Sequence, residues 1–399
     1  LAVEEHPGPV HPSLEYALIC CVAAAGSYLL TPIARRLAIS WGAVARPRDR
    51  DVHAVATPRL GGLALFAGFA MAIVLAHQLP TLRATFANWD IDWVLVAGAI
   101  ICAIGVLDDK YELDSVTKLA GQVVATGVMV TKGGVQLSAV YLPGAGTVSL
   151  GRDVAIPVTI LLTVLTINAM NFIDGLDGLA AGVTAIGAIA FFAFAYHLAS
   201  VNYIDVANTP TLLTAALAGT CIGFLPHNFS PARIFMGDSG SMLVGLVLSA
   251  AGTTAATGAD PQSFGHLLGA LPLALPLLPI AVLAVPFVDL VLAIIRRVRR
   301  GQSPFAPDKE HLHHRMLEIG HTHRRAVLLL YFWSALLAFG GVALSITRGP
   351  WRVISILGGL AAVGMLMSLV PRMRARIQRR RTPPPRPSPT RDAAGVGRP

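Results

Sequence analysis

Residues 154–199 read VAIPVTILLTVLTINAMNFIDGLDGLAAGVTAIGAIAFFAFAYHLA. Two apolar runs, 154–173 and 178–199, are separated only by Asp174-Gly175-Leu176-Asp177. Each run has the ~20 residues a helix needs to cross a hydrocarbon layer. Working outward, similar blocks recur along all but the ends of the chain. Eleven spans are expected, near 14–34, 61–79, 92–107, 117–132, 154–173, 178–199, 211–226, 240–259, 267–295, 326–346 and 352–370. The third, fourth and seventh are short, so their ends are expected to dip into a cavity. The ninth carries Pro272, Pro276, Pro279 and Pro286 and is expected to bend or break. Composition agrees: 54% of the 399 residues are hydrophobic and 13% charged, about half the charge of an average soluble domain. Mean hydropathy is +0.63. The fold class is an all-α polytopic membrane protein.

Charge sets the orientation. All but Arg83, Lys132, Arg152, Arg348 and Arg352 of the 31 Lys and Arg fall in loops after odd-numbered spans or in the tail. By the positive-inside rule the N-terminus is outside and the C-terminus cytoplasmic. Three regions follow: an external segment 1–13, a transmembrane catalytic domain 14–370, and a disordered basic cytoplasmic tail 371–399 with Pro and Arg repeats. No basic cluster or evident cleavage site precedes the first span, so it is expected to be retained. The net charge of +9 gives a basic rim that attracts anionic headgroups and anionic substrates. The tail's share is read as topology alone. Cys20, Cys21, Cys102 and Cys221 lie within spans and are read as small core residues.

The acids carry the chemistry. A carboxylate at the edge of a span is costly and so a functional candidate. Asp108 and Asp109 end the third span, Asp174 and Asp177 join the fifth to the sixth, Asp238 starts the eighth, and Asp289 sits in the inner part of the ninth. All six are placed at the cytoplasmic surface. Asp238, inside Met236-Gly237-Asp238-Ser239-Gly240-Ser241, is either a helix cap or a ligand beside a close backbone approach. Asp108-Asp109 with Lys118 could hold a cation and a phosphate, or form a solvated helix end. Asn168-Ala169-Met170-Asn171-Phe172-Ile173-Asp174-Gly175-Leu176-Asp177-Gly178 makes poor packing material but good oxygen ligands for a hydrated divalent ion. Asp289 is read as pairing with Arg296 or a helix neighbour. In Ser303 to Arg315, His311, His314 and Arg315 share a helix face. That face suits a grip on pyrophosphate; a zinc site and a basic helix on the headgroups stay open. No GxxxxGK[ST] loop, GxGxxG or strand-borne serine triad is present. The set fits metal-assisted phosphoryl transfer between a soluble anionic substrate and one lying in the bilayer. A transporter would want midplane charges and an internal repeat, and a scaffold would not need paired acids with glycines.

Five stretches, Thr57 to Gly62, Gly105 to Asp109, Asn168 to Gly178, Phe235 to Ser241 and Ser303 to Arg315, together resemble the polyprenyl-phosphate N-acetylhexosamine-1-phosphate transferases over roughly residues 12–370. The related phospho-MurNAc-pentapeptide transferases carry three consecutive histidines. Here the run is His311-Leu312-His313-His314-Arg315, which points to the branch using UDP-N-acetylglucosamine. The resemblance implies transfer of N-acetylglucosamine 1-phosphate to polyprenyl phosphate with release of UMP, in the plasma (inner) membrane, with Mg²⁺ or Mn²⁺. It implies membrane lipids as surroundings, no nucleic-acid partner, and a homodimer. Asp238 would be the principal Mg²⁺ ligand with Asn171 nearby, beside Asn168. Asp108 and Asp109 would position or deprotonate the lipid phosphate, and Lys118 would hold a phosphate. Gly175, Leu176 and Asp177 would border the uracil with Phe235 stacking on it, and Asp174 would complete the acidic cluster. His311, His313, His314 and Arg315 would grip the pyrophosphate or sugar. An external hairpin over 134–150, turning at Pro143 to Gly146, would be the only sheet. Arg outnumbers Lys heavily, as in a GC-rich genome; in actinobacterial relatives this step begins the linker between arabinogalactan and peptidoglycan.

Overall fold

A computed structural model describes residues 12–45, 56–88, 90–142, 146–201, 208–258, 295, 298–299, 322–347 and 350–381. The apolar runs fold as helices: α1 (Pro12–Trp41), α2 (Gly61–Ala76), α3 (Asp90–Tyr111), α4 (Ser115–Lys132), α5 (Arg152–Ile173), α6 (Leu179–Val201), α7 (Thr209–Asn228), α8 (Gly237–Gly258), α9 (His323–Ile346) and α10 (Pro350–Arg381). Among the described residues, eight helices are long and apolar enough to cross a membrane, while α2 is a shorter apolar helix and α4 is not among the eight. This is a multi-pass membrane protein. The broken span expected at 267–295 lies outside the described residues, as does Asp289.

Local chemistry sets the helix ends. Asp114 caps α4, accepting from Val116 N and Thr117 N at 3.0 Å each, and Asn208 accepts from Thr211 N at 3.0 Å to start α7. Glu15, buried in the first turn of α1, accepts from Thr81 N, Thr81 Oγ1 and Leu82 N at 2.9–3.2 Å. Its charge is thereby matched to the start of the 3-10 turn Leu82–Asn88.

The centre is built from α6, α7 and α8, each with 72% of its apolar stretch buried, against 6% for α10. α7 packs on α1 and α6, α8 on α3 and α5, α9 on α6, and α10 on α9. Gly219 and Gly223, one turn apart on α7, lie where any side chain would overlap the α1 backbone at Cys20 and Ala24. Small residues at this spacing let two apolar helices approach closely where lipid offers no hydrophobic drive.

Several expectations need correction. α3 and α7 have 22 and 20 residues, so neither is short. The charged ends of α3 left outside the expected span 92–107, Asp90 and Asp108 to Lys110, are helical. α10 runs to Arg381, past the expected boundary at 370. Met, Ala, Gln and Arg after Pro371 are good helix formers, and the Pro383-Pro384-Pro385 run lies just beyond. The hairpin exists, with β3 (Ala139–Leu142) antiparallel to β4 (Gly146–Ser149) in the register Ala139 to Ser149. It is not the only pairing. β1 (Val44–Ala45) pairs with β2 (Thr57–Pro58), and β2 feeds directly into α2. Cys21 is exposed on α1 and is no core residue.

Candidate active site

One end of the bundle gathers the acids. The last turn of α3 carries Asp108 and Asp109, the start of α4 carries Lys118, the end of α5 carries Asn171 and Asp174, and α8 opens with Gly237 and Asp238. The α8 start is held by backbone pairing. Phe235 N donates to Pro58 O at 2.8 Å, and Gly61 N and Gly62 N donate to Phe235 O and Met236 O at 3.1 and 3.0 Å. Gly237 has φ +72 and faces Arg59 O and the Asp109 carboxylate so closely that no side chain fits. The motif at 57–62 is thus the seat of the motif at 235–241.

Asp238 is the hub. Its Oδ2 and Asp108 Oδ2 both accept from Lys118 Nζ, the latter at 2.8 Å. Its Oδ1 accepts from Asn171 Nδ2 at 2.6 Å, and the same amide reaches Ser241 Oγ at 2.9 Å. Asn171 here orients the carboxylate; to ligate a metal it would have to present its carbonyl oxygen. Asp108 Oδ1 accepts from Leu113 N at 2.8 Å, which closes the turn between α3 and α4.

Asp109 points elsewhere. Its Oδ1 accepts from Asp238 N at 2.8 Å and its Oδ2 from Ser239 N at 3.2 Å and Ser239 Oγ at 2.7 Å. It caps α8 from a neighbouring helix, the role that the sequence offered to Asp238. Asp174 accepts from the Gly237 backbone, and burial, with Asp238 and Asp109 close by, pushes its carboxyl well above the usual range. Asp108, Asp109 and Asp238 alone meet one ammonium and one helix N-terminus, a balance that a further cation could offset. Among the described residues no three His, Cys, Asp or Glu side chains form a metal cage. A Mg²⁺ ion keeps several waters and takes one or two carboxylates plus substrate phosphate oxygens, and Asp238 with Asp108 could supply the carboxylates.

Asn168 turns away, donating to Gln122 Oε1 at 2.7 Å and Val164 O at 2.8 Å, and so ties α5 to α4. Gly175 is exposed, while Leu176 and Asp177 are only 3% exposed each. Phe235 is half-buried. His311, His313, His314 and Arg315 lie outside the described residues.

Other residues of this end were not foreseen. Asn228 Oδ1 accepts from Gly178 N at 3.1 Å and its Nδ2 donates to Ile234 O at 3.0 Å. From α9, His323 reaches Asp177, Arg324 reaches Ser230 O, and the Tyr331 hydroxyl donates to Gly178 O. Gln122, a fully buried amide inside an apolar run, was legible as an anomaly. His323 carried no local signal.

Fold and centre together define a multi-pass membrane protein with carboxylates, an amide and a lysine converging at one end of its helices. Residues 91–256 match the family described as glycosyl transferase family 4, a stretch that runs from α3 to α8 and holds every member of the centre named above. The chain belongs to this family. It is 48% identical over 367 residues to the decaprenyl-phosphate N-acetylglucosaminephosphotransferase of Mycolicibacterium smegmatis, covering 91% of this chain and 90% of the relative. The Mycobacterium leprae protein of the same name is 47% identical over 369 residues, covering 92% of each. The Haemophilus influenzae undecaprenyl-phosphate alpha-N-acetylglucosaminyl 1-phosphate transferase is 31% identical over 325 residues, covering 79% of this chain and 83% of the relative.

Proposed function

We propose that this chain transfers N-acetylglucosamine 1-phosphate from UDP-N-acetylglucosamine to a polyprenyl phosphate. The observation that carries the reading is the Asp108–Lys118–Asp238–Asn171 arrangement inside a chain nearly half identical, along nine-tenths of its length, to transferases of that name. A lipid phosphate oxygen attacks the β-phosphorus. The bond from that phosphorus to the bridging oxygen breaks, UMP departs with that oxygen, and polyprenyl-diphospho-N-acetylglucosamine remains. Mg²⁺ or Mn²⁺ held by Asp238 would neutralise pyrophosphate oxygens. Lys118, held between Asp108 and Asp238, would set its ammonium beside the phosphates, and Asp108 would orient Lys118 and take a proton from the lipid phosphate. Asp109 and Asp174 keep the start of α8 in place. The acidic end faces the cytoplasm of the plasma membrane, as the positive-inside distribution supports.

The test is transfer of label from UDP-[¹⁴C]N-acetylglucosamine to polyprenyl phosphate by purified protein, with and without EDTA. Metal-dependent lipid label with UMP release is expected, and Asp238→Asn should lower turnover at least a hundredfold while the protein stays folded in detergent. Release of UDP instead would make the chain an ordinary glycosyltransferase. Near-normal turnover of the variant would remove Asp238 from the metal site.

A further inference from the structure

Loop 174–178 has two sides. The open side presents the exposed Gly175, with no apolar side chain, because Leu176 is buried. A surface of that kind meets a polar, water-soluble ligand. The lipid's side is different: α4 beside Lys118 exposes Val116, Leu119 and Val123 at 41–75%. On the proposed reading, the loop therefore serves the nucleotide-sugar and α4 the lipid.

The buried side of the loop is fastened to α9. Asp177 N donates to His323 Nε2 at 3.1 Å, so this ring nitrogen is an acceptor. Asp177 Oδ2 accepts from Ala232 N at 3.0 Å and lies 4.0 Å from the same imidazole nitrogen. One residue on, Gly178 turns the chain at φ +77 and its carbonyl accepts from Tyr331. Gly182 in the next turn has no space for a side chain because the Tyr331 ring fills it. His323 lies far along the chain from the loop, yet it supplies the acceptor for a backbone N–H in the loop's buried half.

We propose that His323 is a positioning residue for nucleotide-sugar binding. It touches no reacting atom. It fixes the peptide at Asp177, and through it the direction in which the exposed Gly175 backbone faces the ligand. This deepens the proposed function and rests on it.

Glutamine places its carbonyl oxygen near the position of Nε2, so His323→Gln can keep the bond to Asp177 N whereas His323→Ala cannot. The experiment is steady-state transfer by full-length protein, varying UDP-N-acetylglucosamine and polyprenyl phosphate separately. His323→Ala is expected to raise KM for the nucleotide-sugar about tenfold, leave KM for the lipid within twofold and kcat within threefold, and be rescued by His323→Gln. A fall in folded protein alone would lower the apparent kcat without dividing the two KM values. Unchanged KM, equal rises for both substrates, or a Gln variant no better than Ala would overturn the assignment. Absence of transfer by the wild-type chain would instead sink the proposed function, so the two failures are distinct.

Discussion

Asp109 gives both carboxylate oxygens to the first turn of α8, and Asp108, its neighbour, faces Lys118. Adjacent residues on an α-helix point about 100° apart, so the two acids serve different neighbours. Asp109 is buried, and its bonds are charge-assisted. Removing them in Asp109→Ala should lower the unfolding free energy by about 2–4 kcal/mol, measured by thermal or denaturant unfolding in detergent. A loss below about 0.5 kcal/mol would mean that α8 holds its own start. The sequence marked the pair as one unit because it shows adjacency along the chain and not which neighbour each face will meet. The Asp238 hub was legible for the opposite reason, since its flanking glycines advertise close approach. The buried Gln122 and the half-buried Asn168 were half legible: polarity in an apolar run flags them, but only packing reveals that they bond each other.

At the scale of elements, the start of α8 is cradled by α2 and α3 through two glycines. A side chain at Gly62 would overlap Gly240 N and Ser239, and one at Gly105 would overlap the backbone of Asp238 and Ser239. Both contacts are with backbone, so relief requires moving a helix. Gly105→Ala is expected to reduce transfer at least tenfold by shifting Asp238 away from Lys118, while the helical content read by circular dichroism stays within a few per cent of wild type. Full activity would show that α8 can yield without disturbing the centre. Helix identity was legible from runs of apolar residues, and boundaries less so. The ends of α3 are acidic, yet a residue can be charged and still continue a helix. The β1–β2 pairing escaped because two residues per strand carry no periodicity.

For the whole molecule, the chain is threaded so that the α3–α4 turn and the acidic centre share one end, with Gly151 and the β3–β4 hairpin at the other. If the positive-inside reading holds, Ser115→Cys reacts with a membrane-impermeant maleimide only in inside-out vesicles and Gly151→Cys only in right-side-out cells. Both positions are exposed. The reverse pattern would place the centre outside and remove access to a cytoplasmic nucleotide-sugar.

The pairing of Lys118 with both Asp108 and Asp238 also has a temporal meaning. Asp108 and Lys118 lie on either side of a single short turn, so they can neutralise one another as soon as that hairpin leaves the ribosome. Asp238 is synthesised 120 residues after Lys118. The centre thus joins a contact local in the chain, Asp108 with Lys118, to one made only where α8 packs on α3.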